Sequence, residues 1–222
     1  MPRVATIVLS AVVVLLVVVW PVVEYRRVYA LNKRLREVEP GRVYRAGEMT
    51  ADGFADAVAR FHIRTVVNLQ DDCPDPDVSP AFWGGRTMKE SELCRRLGVQ
   101  YLLIKPDLIA RRLAPLERPA AVDEFLDLMD RPEVYPVLIH CKAGLHRTGC
   151  LTAVYRMEYQ GWTPEEAYGE LKAHGFGDWV CTSANDYVSQ YVLQYRRGIR
   201  REAPSAAPSA LRTETYRKAD GE

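Results

Sequence analysis

Residues 4–23 form an apolar run broken only by Thr6, Ser10 and Pro21, with no polar face at helical spacing. About 20 residues is the length a helix needs to cross roughly 30 Å of hydrocarbon. The run predicts a transmembrane anchor over residues 1–24. A cleaved signal peptide is the rival reading, but its apolar core is shorter, about 7–15 residues, and ends in a small-residue cleavage site. Here Val28-Tyr29-Ala30 is a weak match, and the charged pair Arg26-Arg27 stands in front of it. A buried core helix fits poorly, because the segment is apolar on every face.

Past residue 40 short apolar runs alternate with stretches of helical period. Thr50 is placed to cap a helix whose apolar positions Phe54, Ala57, Val58 and Phe61 repeat every three to four residues. Residues 65–69 read as a strand and 71–85 as a Pro/Asp-rich loop. Residues 88–97 read as a helix stopped by Gly98, and 100–104 as another strand. A helix over 119–129 turns Val122, Phe125, Leu126 and Met129 inward. A strand at 137–139 precedes a helix from 148 to 159 that ends near Gly161. Thr163-Pro164-Glu165-Glu166 combines a capping box with proline at the first helical position. A last helix, 183–196, carries Tyr187, Val188, Tyr191, Val192 and Tyr195. This alternation predicts an α/β fold, a central mostly parallel sheet flanked by helices and preceded by one transmembrane helix. Ligands of such folds gather at the carboxyl ends of the strands.

Composition adds boundaries. The chain has 222 residues, 48% hydrophobic and 27% charged, enough for one globular domain over 40–197. Residues 25–39 read as a basic juxtamembrane linker, in which Tyr25 to Arg36 suits anionic lipid and a solvated linker helix equally, and 198–222 as a disordered tail. A net charge of +1 gives no case for a nucleic-acid partner. Cysteines at 73, 94, 141, 150 and 181 show neither disulfide framework nor metal-ligand spacing, so reduced thiols and no metal or cofactor are expected. Only Arg3 precedes the apolar run, whereas Arg26, Arg27, Lys33, Arg34, Arg36 and Arg42 follow it. The positive-inside bias then puts the domain on the cytoplasmic side of a single-pass protein.

The candidate chemistry lies at 137–149, where an apolar strand turns through a loop into a helix. Cys141 and Arg147 bracket five residues with Gly144 among them. A strand–loop–helix turn points backbone N–H groups inward and forms a cradle for a tetrahedral dianion. Surroundings of that kind lower a thiol pKa from about 8.5 to roughly 3.5–7.5, leaving a thiolate nucleophile. An arginine closing the ring grips two phosphate oxygens in a bidentate fork. Lys142, Ala143, Gly144, Leu145 and His146 line the loop with Arg147 as the phosphate-binding set. A lone cysteine in such a strand is ordinarily a small core hydrophobe; the combination with Arg147, Thr148 and Gly149 favours catalysis.

The string from His140 to Gly149 resembles the signature loop of the cysteine-dependent protein tyrosine phosphatases, in particular the dual-specificity branch. Gly41-Arg42-Val43-Tyr44-Arg45-Ala46-Gly47 is similar to that branch's opening strand, and Thr65-Val66-Val67-Asn68-Leu69 to its next core strand. The resemblance spans about residues 40–197 and implies a dual-specificity phosphatase-like fold and a phosphoric monoester hydrolase. It implies a buried orienting role for His140, although a satisfied core histidine fits equally.

Expelling an alkoxide or phenoxide calls for a positioned acid, worth roughly 10²–10⁴ in rate. Asp107 lies on a loop after the 100–104 strand, 34 residues before Cys141, similar to the spacing of the family's acid loop. Asp71 and Asp72 rank next; Asp123, Asp127 and Asp130 suit a solvent face. The Thr148 hydroxyl is placed to assist hydrolysis of a phosphocysteine, or to cap the following helix. Cys150 suits packing, and Cys73 is the candidate to resolve an oxidised Cys141. Phosphorylated protein is the default substrate of the dual-specificity branch. Cys141-Lys142-Ala143-Gly144 is also similar to the loop start of phosphoinositide 3-phosphatases, with Leu145 where these carry a second lysine. His146-Arg147-Thr148-Gly149-Cys150 resembles the plant and fungal inositol pyrophosphate phosphatases, with Ala143 where these commonly carry arginine. A non-catalytic module that recruits phosphorylated partners to a membrane is the reading outside enzymes.

Overall fold

A computed structural model describes residues 2–26, 32–73, 88–105, 118–177 and 186–200. At the N-terminus α1 (Pro2–Val14) continues through a π-helical stretch (Leu15–Val19) into α2 (Trp20–Arg26). No residue from 4 to 23 is buried, and Val4–Glu24 is long and apolar enough to cross a membrane. A signal sequence passes the same test of length and composition.

The domain follows as β1 (Arg36–Glu39), β2 (Val43–Gly47), α3 (Ala51–Phe61), β3 (Thr65–Asn68), α4 (Glu90–Leu97), β4 (Gln100–Leu103), α5 (Ala120–Met129), β5 (Val137–Cys141), α6 (His146–Tyr159), α7 (Pro164–Ala173) and α8 (Asp186–Leu193). The sheet order is β1-β2-β5-β3-β4, with β1 antiparallel to β2 and all other pairs parallel. The expected α/β architecture is therefore present. The stretch read as juxtamembrane linker ends in a strand, because Val38 buries its side chain and Arg36 and Glu37 pair with Arg45 and Tyr44.

Local signals set most boundaries. The Thr50 hydroxyl accepts from Gly53 N at 3.2 Å at the start of α3, and Gly98 ends α4 in the left-handed region. Thr163 and Glu166 form a reciprocal capping box before α7, with Pro164 in its first turn. α6 begins at His146, two residues earlier than expected, and β5 runs two residues longer, through Cys141. Among the described residues of the expected last helix, 186–193 are helical and 194–196 are not; 183–185 lie outside the described residues.

Both faces of the sheet are covered at β2, β3 and β5, which are buried at every residue, whereas β1 and β4 at the edges are partly exposed. Val67, Val137 and Ile139 face the layer of α5, α6 and α8, where Phe125, Leu126, Tyr155 and Val188 are buried. Val66, Leu138, Tyr44 and Ala46 face α3 and α4 with Phe54, Leu93 and Cys94. Alternation along β5 therefore sends Cys141 to the α6 side and His140 to the α4 side. α6 is buried from Thr148 through Tyr155 and again at Met157, because α5, α7 and α8 surround it over the sheet.

Candidate active site

The site grows out of β5. Its last residue, Cys141, pairs in register with Gly47 at the end of β2, and both strands stop at the same edge. The loop that follows doubles back against β2. Gly144 has φ +69°, and a Cβ there would lie 2.6 Å from both Ala46 O and Gly47 N. A Cβ on Gly47 would stand 3.0 Å from Lys142 O. Two glycines face each other, and backbone packs on backbone.

Three consecutive loop carbonyls are capped from outside. Glu48 N donates to Lys142 O at 3.2 Å, Arg34 Nη1 to Ala143 O at 2.8 Å, and Arg45 Nη2 to Gly144 O at 2.8 Å. Peptide planarity sends the N–H of each following residue, Ala143, Gly144 and Leu145, to the opposite side. The loop's amides thus turn to its concave side. Helix α6 adds to the same field: Leu145 is its N-cap, and no side chain caps its first turn. A helix N-terminus with open amides favours an anion.

Arg147 sits in that first turn, half-buried, with Nη1 donating to Leu69 O at 3.1 Å. This bond ties the guanidinium to the loop after β3. Cys141 is 5% exposed. Behind it lies Arg45, 3% exposed, whose pKa burial pushes down to about 10, against the pull of the Glu170 carboxylate and the Cys141 sulfur. Arg45 therefore stays charged at neutral pH. Glu170 is itself held down to about pKa 2: burial opposes this, but bonds from His174 and Arg156 and the charges of Arg156 and Arg45 prevail.

Thr148 lies in the first turn of α6 rather than before it, so it does not cap the helix, contrary to one expectation; its buried hydroxyl has no hydrogen-bond partner among the described residues. Lys142 Nζ pairs with Glu48 Oε2 at 2.9 Å, and Gln70 Nε2 donates to Glu48 Oε1 at 2.9 Å. His146 opens α6 and sets its ring edge-on to Phe176, centroids 5.3 Å apart. His140 Nε2 pairs with Glu90 Oε1 at 2.7 Å in a buried contact. Burial alone depresses the His140 pKa, yet Glu90 and Glu48 outweigh it and the net shift is upward.

Asp107 lies outside the described residues, as do Cys181 and most of the Pro/Asp-rich loop. Asp72 is committed to α4, accepting from Ser91 N at 3.1 Å and Ser91 Oγ at 2.7 Å, and Asp71 accepts from Cys73 N. Asp123 pairs with Arg118 at 2.6 Å rather than facing open solvent, and Asp130 accepts from Tyr159. Cys150 is fully buried with its pKa pushed up to about 12, and Cys73 is exposed. Sequence reasoning missed Arg34, Glu48 and Glu90, and it read Arg45 and Gly47 only as parts of a strand. For Arg45 and Glu48 the signal was faint, a charged residue inside or just after an otherwise apolar strand; Arg34 and Glu90, before β1 and at the start of α4, carried none.

Residues 43–185 match the family described as dual specificity phosphatase, catalytic domain. The chain belongs to the dual specificity phosphatase family. Over 43 residues, 19% of this chain and 20% of the relative, it is 51% identical to the dual specificity protein phosphatase TpbA of Pseudomonas aeruginosa. The crystal structure of that protein superimposes with a TM-score of 0.52 at 25% identity, covering 73% of this chain and 89% of that one. Inositol diphosphatase DSP3 of Arabidopsis thaliana is 26% identical over 144 residues, 64% of this chain and 62% of the relative. In sequence, then, the match spans a fifth of the first relative and under two thirds of the second. The core catalytic domain of the PP-IP phosphatase SIW14 from S. cerevisiae shares the fold, with a TM-score of 0.56 at 18% identity over 75% of this chain and 87% of that one.

Proposed function

We propose that this protein hydrolyses phosphate monoesters through a phosphocysteine intermediate. The observation that carries the reading is the outward pinning of the 142, 143 and 144 carbonyls around Cys141. Amides fixed in this way meet a dianion with little reorganisation, which is where electrostatic catalysis gains most. The Cys141 thiolate attacks phosphorus, the ester P–O bond breaks, and the departing oxygen takes a proton from Asp107. Water then attacks the phosphocysteine, the S–P bond breaks, and Asp107 receives the water proton as phosphate leaves. Arg147 clamps two phosphate oxygens through both steps. The unpartnered Thr148 hydroxyl donates to the leaving sulfur in the second.

The substrate we assign is phosphotyrosine or phosphoserine/threonine in proteins. Besides Arg147, the loop carries the lysine Lys142, and its ammonium is engaged by Glu48. Ala143 and Leu145 add no charge. This arrangement suits one phosphate better than a cluster of them. The second reading is an inositol pyrophosphate or phosphoinositide, favoured by the 144-residue likeness to an inositol diphosphatase. The N-terminal helix would hold either activity at a membrane, with the basic residues after it on the cytoplasmic side. Phosphate release by the full chain in detergent, from phosphopeptides, phosphoinositides and inositol pyrophosphates in parallel, decides among them. The protein reading fails if kcat/KM for an inositol pyrophosphate exceeds that for every phosphopeptide.

A further inference from the structure

Of the three groups that cap the loop carbonyls, two belong to the domain core. Arg45 is in β2 and Glu48 follows it directly, both buried. The third, Arg34, comes from the short segment that joins the apolar helix to β1. That segment is held against the site at three points. Lys33 O accepts from Gly47 N at 2.7 Å, Arg34 Nη1 donates to Ala143 O at 2.8 Å, and Lys33 Cγ lies so close over Gly47 that a Cβ there would be 2.6 Å from it. The backbone there is in an unusual state. Lys33 has φ +37° and Arg34 φ +61°, two successive non-glycine residues in the left-handed region. Such a conformation is costly for a residue with a side chain and persists only where surrounding contacts enforce it.

We infer that Arg34 is a positioning residue for the phosphate-binding loop, a strut through which the segment next to the apolar helix holds the Gly144 amide toward the substrate. The inference rests on the phosphatase reading only for its catalytic consequence. The peptide between Ala143 and Gly144 is the one in question: its carbonyl is held by Arg34, and its N–H belongs to a glycine already at positive φ, free to adopt alternative backbone angles. Without the guanidinium this peptide rotates and one inward amide is lost. Arg45 and Glu48 hold the peptides on either side and leave the rest of the cradle in place. Arg34 lies ten residues beyond Glu24, at most about 35 Å of extended chain, so the strut ties the catalytic loop closely to the apolar helix.

The test uses the full chain in detergent, with tungstate as a tetrahedral dianion probe and an aryl phosphate as substrate. Arg34→Gly deletes the donor while suiting the backbone, so its melting temperature should match or exceed that of the unsubstituted protein. Its tungstate affinity and kcat/KM should each fall about tenfold, the effect of one lost hydrogen bond at a charged ligand. Arg34→Lys keeps a donor and should recover most of the loss. If the glycine variant does not fold, Arg34→Leu reads the same affinity with the side-chain volume largely kept. Unchanged tungstate affinity in the folded variants overturns the inference. A wild-type protein that binds tungstate but cleaves no ester overturns the phosphatase reading and leaves the Arg34 comparison intact. A wild type that does not bind tungstate removes both.

Discussion

The concave and convex faces of the catalytic loop are built from different material. The concave face is made by a stretch of contiguous chain: Cys141, the amides of residues 143–145, Arg147 and Thr148. The convex face is assembled from Arg34, Arg45, Gly47 and Glu48, about a hundred positions away in sequence. In the mechanism proposed above the first face meets the phosphate, while the second holds the loop's carbonyls. A loop of five or six residues has too few internal bonds to hold its own amides inward, so its order is supplied from behind. Chemistry and rigidity are therefore separable here, and substitutions on the two faces should have different signatures.

The sharpest test of that separation is Cys141→Ser, on the concave face. Turnover should fall by more than about 10⁴-fold, as for loss of a nucleophile elsewhere, while tungstate affinity and melting temperature stay near wild type. Loss of oxyanion binding along with activity would mean that the sulfur also holds the loop together, and the separation would break down. Gly144→Ala probes the seam between the faces. Its Cβ meets backbone at 2.6 Å and its φ is positive, so unfolding free energy should drop by roughly 2–4 kcal/mol, with activity lost in the same variant. A denaturation midpoint within error of wild type would show that the loop is not braced by β2.

The convex face also carries a pH signature. Glu170 supports Arg45 from behind, and its folded pKa of about 2 lies below the ordinary carboxylate value of 4.5. A depressed pKa contributes stability that is present above pH 4.5 and is lost as pH falls toward 2. The contribution is about 3 kcal/mol, an upper figure because nearby charges rearrange. Glu170→Gln should flatten the dependence of urea midpoint on pH between 5 and 2. A slope equal to wild type would place the acid sensitivity elsewhere. The smallest effect is expected from Thr148→Ala on the concave face. It should slow turnover about tenfold with accumulation of phosphoenzyme in acid-quenched samples, since in the proposed mechanism only the second step uses the hydroxyl. Slowing without that accumulation would assign Thr148 to the first step instead.

Short-range physics was readable along the chain. The caps at Thr50, Gly98 and Thr163, the apolar strands and the helical repeats announced themselves because each depends on residues within a few positions. The candidate nucleophile and arginine were legible for the same reason, being six residues apart. β1 escaped notice because a four-residue edge strand with three charged residues and one valine has no local hydrophobic signature; its partner β2 makes it a strand. The start of α6 was misjudged because the loop geometry, not a capping side chain, begins that helix.

The sequence by itself determined the class of chemistry, the alternating architecture and an N-terminal helix apolar enough to cross a membrane. Each follows from spacing and periodicity, which are properties of neighbouring residues. The tertiary structure decided how the loop is held. The register of β2 against β5 brought Gly47 opposite Cys141, packed Arg45 behind the sulfur, and set Arg34 on the Ala143 carbonyl. Alternation along β5 sent His140 to Glu90 on the other face of the sheet. Such pairings join residues 50 to 109 positions apart, and only the closing of the sheet brings them within reach.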